Sequence, residues 1–428
     1  VFRYHEITVP GHYLPLELVD KLIGSSLFDE YVVYESAAQW LFAGNAFAQV
    51  IVDRSGVHTT LGGETTLRAW RSTPMRQVAE ALADLPLDGW NAYGWAAFEF
   101  GHALTGRLDL VGDQPLLQVI VPRTEIRRTA SGVVIRAVDE EVLDQVRHLI
   151  SAPVPARPRT PSPVDVRSDG AEEYKQRVAA AVRDINAGLL RRMILSRSVP
   201  IHFPVDLPAT YAVGRSRNTP ERSFLLRLAG LQAAGFSPET VVEVDSAGTV
   251  STQPLIGTRT PGNSPALESD PREVFEYASS VKLAVDELLT ICEPASVHVT
   301  EFMTVKNRGS VQHLGGRVSG RLSRGQTAWD TFAVLFPAVA ASGIPKARAY
   351  ERISALEDGP RDLYAGAVFT ASQAGTIDAA LVLRAIYQRD GRTWLRAGAG
   401  IVGDSTPDRE FEETCEKLAS VAPYIVAR

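Results

Sequence analysis

Two short stretches carry glutamates at the spacing that puts them on one helix face. REFEETCEKL (409–418) holds Glu410, Glu412, Glu413 and Glu416, and DPREVFEYASSVK (270–282) holds Glu273 and Glu276. Residues three apart share a face of a helix, so Glu410 with Glu413 and Glu273 with Glu276 form two matched pairs. Four carboxylates on two facing helices could hold one hard cation. Oxygen-only ligation suits Mg2+, which takes one or two carboxylates and completes its shell with water and substrate oxygens. Paired glutamates also mark ordinary solvated helix faces, so spacing alone leaves both readings open.

Other stretches could receive an anion. STQPLIGTRTPG (251–262) ends a strand with Pro254, a Gly257–Thr258 turn and Arg259. RAGAGIV (396–402) places Gly398 and Gly400 in a strand, where glycine is otherwise costly. Alternating glycines there permit close backbone approach, so N–H groups could meet a carboxylate. AASGIPK (340–346) is a third Gly–Pro–Lys turn. Arg384 sits in the apolar run AALVLRAIY and needs an anionic partner or a wet pocket there. Each alone is an ordinary turn or strand. Together they describe a polar pocket for a small polycarboxylate beside a divalent metal. No G-x-x-x-x-G-K-[ST] is present to cradle a nucleotide's phosphates.

The elements that would position these residues are legible from period and punctuation. YVVYES and AQVIVD read as strands, MRQVAEALADL as a helix, and SDGAEEYKQRVAAAVRDINAG as a helix with a capping Ser or Asp and a closing Gly. RRMILSRSVPIHF reads as a strand, and VEVDSAGTVSTQPL as a hairpin around SAGT. DPREVFEYASSVKLAVDELLTIC is a long amphipathic helix with Pro271 in its first turn. AALVLRAIYQRDGRTWLRAGAGIV reads as two strands joined at RDGR, with Arg384 on the first. Strands in hairpins with helices clustered elsewhere predict an α+β fold on antiparallel sheets, not a doubly wound parallel one. The Pro-, Ser- and Arg-rich stretch 151–166 reads as an extended surface connector.

Bulk composition narrows the function. The chain has 428 residues, 45% hydrophobic and 22% charged, enough for a large core, and length alone suggests two or three domains. A net charge of −6 gives no basic footprint, so nucleic acid is not an expected partner. No apolar run is long enough for a membrane helix, and VFRYHEITVP lacks the build of a signal peptide. Cys292 and Cys415 are too few for a disulfide framework. The cytoplasm is the expected compartment.

MILSRSV, NTPERSFLLRL, GFSPETV, PLIGTR, DPREVFEYA, FMTVKNRGSVQHLGG, FPAVAASGIPK, LYAGAV, TWLRAGAGIV and REFEETCEKL occur in an order that resembles the chorismate-utilising enzymes. That family includes anthranilate, aminodeoxychorismate, isochorismate and salicylate synthases. The likeness is fullest to the salicylate synthases of actinobacterial siderophore pathways. It is dense over 166–428 and looser before, through GWAAFEFGHALTG. The resemblance implies one large α/β unit with two antiparallel sheets in a sandwich and helices outside. Residues 1–150 would be its N-terminal part, 151–166 a connector, and 167–428 the chorismate-binding part. It implies Mg2+ bridging Glu276 and Glu413 to the ring carboxylate, with Glu273 and Glu410 as their partners. Gly257 and Thr258 match contacts to the same carboxylate. Tyr364, Arg384, Gly398, Gly400 and Lys417 match groups around the two substrate carboxylates, and His313 matches a histidine lining the ring. A monomer is implied.

The resemblance breaks at informative places. Family members that hydrate chorismate use a Glu acid in an S-P-E turn, matched by Glu239, and a Lys base that activates water. Arg192 of RRMILSR stands at the base position. A guanidinium is not deprotonated in proteins, so Arg192 is a poor base, although it can bind an anion or orient water. Arg191 points to the opposite face of a strand. Ala340 replaces a Thr, and Gln253 replaces an acidic residue. The segment TPGNSPALESDPR is shorter than its counterparts. Aminating relatives carry Gln where Arg192 sits and draw ammonia from a glutaminase. Neither cysteine lies in a G-x-C-x-G-like turn, so no glutaminase is fused here, and with Arg192 in place of that Gln no glutaminase partner is expected. Three functions stay open: a Mg2+-dependent salicylate synthase; a variant that skips water attack, as isochorismate pyruvate lyase or chorismate mutase; and an inactive chorismate-binding homologue.

Overall fold

A computed structural model describes residues 2–70, 73–153, 159–259, 267–308 and 311–428. The side chains of Thr258, Arg259, Arg272, Arg308 and Val311 lie outside the description, as do residues 260–266 of the shortened segment. The described strands pair antiparallel and join into one continuous hydrogen-bonded network. The network crosses the Pro-rich stretch. Tyr31–Ser36 pairs with Arg222–Leu228, and Asn91–Ala96 pairs with Ala367–Ser372. Residue 159 onward follows the C-terminal residues instead, with Ser162 N donating to Ile425 O at 2.6 Å.

Side chains alternate across a strand, and here both sides are buried. Along Tyr31–Ser36, Val32 and Tyr34 enter one apolar cluster while Tyr31 and Val33 enter another. Arg222–Leu228 divides the same way, with Phe224 and Leu226 against Leu225. The first cluster takes in residues of Asn91–Ala96, Ala367–Ser372 and Ile377–Leu381. The second is closed by Leu18 and Leu22 of the Pro15–Ile23 helix, Val146 of Glu140–Ser151 and Tyr211 of Leu207–Arg217. Strands buried on both faces read as near-continuous apolar runs, as MILSRSV and SFLLRL do.

Most expected elements are present. MRQVAEALADL is the Pro74–Ala83 helix, the SAGT hairpin joins Thr240–Val244 to Thr249–Thr252, and RDGR joins Ala385–Arg389 to Arg392–Ile401. The long acidic helix spans Pro271–Leu288 and the C-terminal one Pro407–Leu418. Two details differ. The Ala171–Asn186 helix is preceded by Gly170 at φ +67, with no side-chain cap from Ser168 or Asp169. Ser168 Oγ instead donates to Asp165 at 2.6 Å. The expected strand through Arg384 is broken: it ends at Leu381 and resumes at Ala385, with Arg384 at φ +51 between them.

Candidate active site

Arg192 opens the strand Arg192–Ile201 and is buried, whereas Arg191 is exposed. Gly398 and Gly400 lie on the neighbouring strand, where Ala399 pairs with Leu195 and Gly400 with Ile194. A Cβ on Gly400 would stand 3.1 Å from Arg192 Nη2, and one on Gly398 would stand 2.8 Å from the Tyr364 hydroxyl. These glycines therefore make room for two functional side chains, a local reason for their place in an apolar strand.

The two acidic helices meet at this floor. Glu273 and Glu276 from one and Glu410 and Glu413 from the other line a single cavity of about 210 Å3. Arg192, Glu239, Gly257, His313, Ala340, Tyr364, Arg384, Gly398, Gly400 and Lys417 line it as well. The solvated-face reading fails for Glu410, which is only 1% exposed. Gln253 is not in the cavity wall. It is buried where the chain turns between two strands that both pair with Val311–Arg321. Thr258 follows Gly257 in the strand Leu255–Arg259, with only its backbone described.

Cations and carboxylates are interleaved. Arg192 Nε stands 3.4 Å from Glu276 Oε2. Lys417 Nζ stands 2.8 Å from Glu413 Oε1 and donates to Gly398 O at 2.7 Å. Burial pulls the Lys417 ammonium down, but Glu413 and Tyr364 outweigh it and the net shift is upward. Burial pushes the Glu239 carboxyl up to about 8, against the pull of Arg384, Arg192 and Lys417. At neutral pH Glu239 therefore holds its proton, the state a general acid needs. Burial likewise holds the Tyr364 hydroxyl above the ordinary tyrosine range, with Arg361 and Lys417 opposing.

The donor set fits a hard divalent cation. It is oxygen-only and carried on two helices around one cavity, with Glu410 buried and Glu273, Glu276 and Glu413 half-buried. Among the described residues no three carboxylates close into a ready ligand cluster. Mg2+ does not require one, because one or two carboxylates plus substrate oxygens and water suffice.

A deeper layer was not read from the sequence. Arg396, quoted as part of RAGAG, lines the cavity and donates to Ser196 Oγ at 2.8 Å and Glu357 Oε2 at 2.6 Å. Glu357 is also held by Arg361 at 2.6 Å. The guanidinium groups of Arg361 and Arg396 lie 5.8 and 5.7 Å from the Tyr364 ring centroid. Glu99, from the FEFGH motif of the first half, accepts the backbone N–H groups of Arg361 and Asp362 at 2.7 and 3.1 Å. The loop that carries Tyr364 is thus clamped from both halves of the chain.

A family model described as chorismate binding enzyme matches residues 29–423. The chain belongs to the chorismate-binding enzyme family. A salicylate synthase of Mycolicibacterium paratuberculosis is 43% identical over 434 residues, covering 99% of this chain and 96% of that protein. Anthranilate synthase component 1 of Methanothermobacter thermautotrophicus is 35% identical over 58% of this chain and 54% of its own length. Among solved structures, anthranilate synthase component I of Streptococcus pneumoniae superposes with a TM-score of 0.77 at 25% identity, covering 90% of this chain and 92% of that one. The menaquinone-specific isochorismate synthase of Escherichia coli gives 0.73 at 20% identity over 99% and 94%, a likeness of fold. This member of the chorismate-binding enzymes is therefore a chorismate-utilising enzyme related to salicylate synthase. Among the described residues, no helix is long and apolar enough to cross a membrane.

Proposed function

We propose that the chain is a salicylate-synthase-type enzyme in which ring hydration of chorismate is slow or lost, while isochorismate is still converted to salicylate and pyruvate. The observation that carries this is Arg192, buried in the cavity wall with Nε 3.4 Å from Glu276. Water attack at C2 requires a group that can take a proton, and a guanidinium cannot serve. Pyruvate elimination has no such need. The hydrogen on C2 passes to the enolpyruvyl methylene as the C3–O bond breaks, and the ring becomes aromatic. This pericyclic step asks for a compact substrate conformer and charge complementarity, which Arg192, Arg384 and Lys417 supply. Arg384 binds the enolpyruvyl carboxylate, and the backbone around Gly257 and Gly398 faces the ring carboxylate. Mg2+ is the proposed cofactor, held by Glu276 and Glu413 with Glu273 and Glu410 beside them. When bound it neutralises the ring carboxylate. The chorismate-to-prephenate rearrangement needs no base either and belongs to the same reading.

A second reading keeps full salicylate synthase activity. The 43% identity over nearly the whole chain favours it, together with Glu239 held protonated in the acid position. We also read the chain as one structural unit with its strand network folded into a sandwich. The strand pairings across residue 151 and the two apolar clusters support this. Product analysis from chorismate and Mg2+ tests the reaction assignment, with the wild type beside Arg192→Lys. The lysine variant is expected to form isochorismate or salicylate at least tenfold faster, if need be with Ala340→Thr added. Equal rates in all three proteins would refute the proposal.

A further inference from the structure

We infer that His313 is a positioning residue, fixed in one neutral tautomer, that aims Arg384 at the substrate carboxylate. The inference rests on the proposed role of Arg384 and adds the residue that sets its geometry. His313 is 5% exposed on the strand Val311–Arg321. Its Nδ1 lies 2.5 Å from Gly257 O, and its Nε2 lies 2.5 Å from Arg384 Nη2. A carbonyl oxygen only accepts, so Nδ1 carries the proton. A guanidinium only donates, so Nε2 offers its lone pair. One imidazole satisfies both neighbours only as the neutral Nδ1–H form.

The backbone is shaped for this contact at both ends. Opposite His313 the strand Leu255–Arg259 bulges: Ile256 pairs with Leu314 and Arg259 with Gln312, leaving Gly257 and Thr258 against one residue. A bulge takes a carbonyl out of the ladder and re-aims it. Gly257, at φ +68, supplies the carbonyl that His313 meets. At the other end Arg384 sits at φ +51, a conformation that costs a non-glycine residue free energy and persists where surroundings enforce it. Its own carbonyl is held by Phe236 N at 3.1 Å. The bend turns Arg384 out of its strand and into the cavity, and His313 Nε2 fixes the guanidinium there. A histidine with both nitrogens committed in this way does not serve as the proton donor or acceptor of the reaction.

Two amide substitutions separate the two contacts. Gln can place its carbonyl near the position of Nε2, and Asn can place its amide nitrogen near Nδ1. Calorimetric binding of chorismate with Mg2+ is measured for His313→Gln, His313→Asn and His313→Leu, with thermal melting to confirm folding. His313→Gln is expected to stay within about threefold of wild type. Asn and Leu should weaken Kd roughly tenfold or more, the size of a lost hydrogen bond to a charged group. Arg384→Leu should make His313→Leu nearly silent in affinity. Nitrogen-15 correlation spectra, assigned by the resonance missing in His313→Gln, should report the Nδ1–H tautomer. Three results would each overturn the inference: an Nε2–H or doubly protonated ring, additive losses in the double variant, or a His313→Gln protein with normal affinity and no turnover. If wild type binds neither chorismate nor isochorismate, the proposed function fails, and the tautomer measurement still decides the geometry at His313.

Discussion

Replacing Glu239 with Gln should stabilise the fold while removing the proton donor. Glu239 is 3% exposed, and burial lifts its carboxyl from 4.5 to about 8. The folded protein therefore binds a proton that the unfolded chain releases above pH 4.5. Stability linked to this group is fully present below 4.5 and falls as pH rises to about 8. At 1.4 kcal/mol per pH unit the loss is about 3 kcal/mol at pH 7 and about 5 kcal/mol at pH 9. Glutamine has nearly the same shape and no charge, so Glu239→Gln escapes the loss. Urea unfolding of both proteins at pH 5, 7 and 9 reads the difference, in which other titrating groups cancel. The gap should be under about 1 kcal/mol at pH 5 and widen toward pH 9. Equal midpoints at pH 9 would refute a buried, proton-holding Glu239. The same variant should lose any conversion that needs a proton delivered to the departing hydroxyl, the usual exchange of stability against function at a strained site.

Glu413→Gln removes one anionic oxygen ligand and frees Lys417 from its 2.8 Å ion pair. Metal-dependent chorismate binding should disappear by calorimetry, and unchanged binding would sink the metal assignment. Arg384→Lys keeps the charge and loses the planar fork, so Kd for chorismate should weaken roughly tenfold or more with the melting temperature held. If affinity and melting both stay at wild type, Arg384 does not bind the substrate.

Local pattern carried much of the fold. Pro271 opens the acidic helix, RDGR closes a hairpin, and the apolar run MILSRSV forms a strand because each signal acts within a few residues. The glutamate spacing was equally local and gave the two faces, but not whether they met. Facing depends on strand pairings between residues far apart in the chain, such as Gly400 with Ile194. The bend at Arg384 had no signal in AALVLRAIY, since no glycine or asparagine marks the positive φ. The clamp on Tyr364 joins Glu99, Glu357, Arg361 and Arg396 from distant segments, and nothing in their spacing announces it. Gly170 ended up ahead of its helix because Ser168 found a nearer partner in Asp165. Of the residues placed by matching motifs, Gln253 lies outside the cavity wall and Thr258 has only its backbone described, while the others line the cavity.

The central claim is that this cavity retains the elimination chemistry and lacks the base for ring hydration. The direct measurement is wild-type turnover with Mg2+ on chorismate and, separately, on pre-formed isochorismate, with products separated and quantified. Salicylate and pyruvate should form from isochorismate at least tenfold faster than any isochorismate or salicylate forms from chorismate. Salicylate appearing from chorismate as fast as from isochorismate would contradict it.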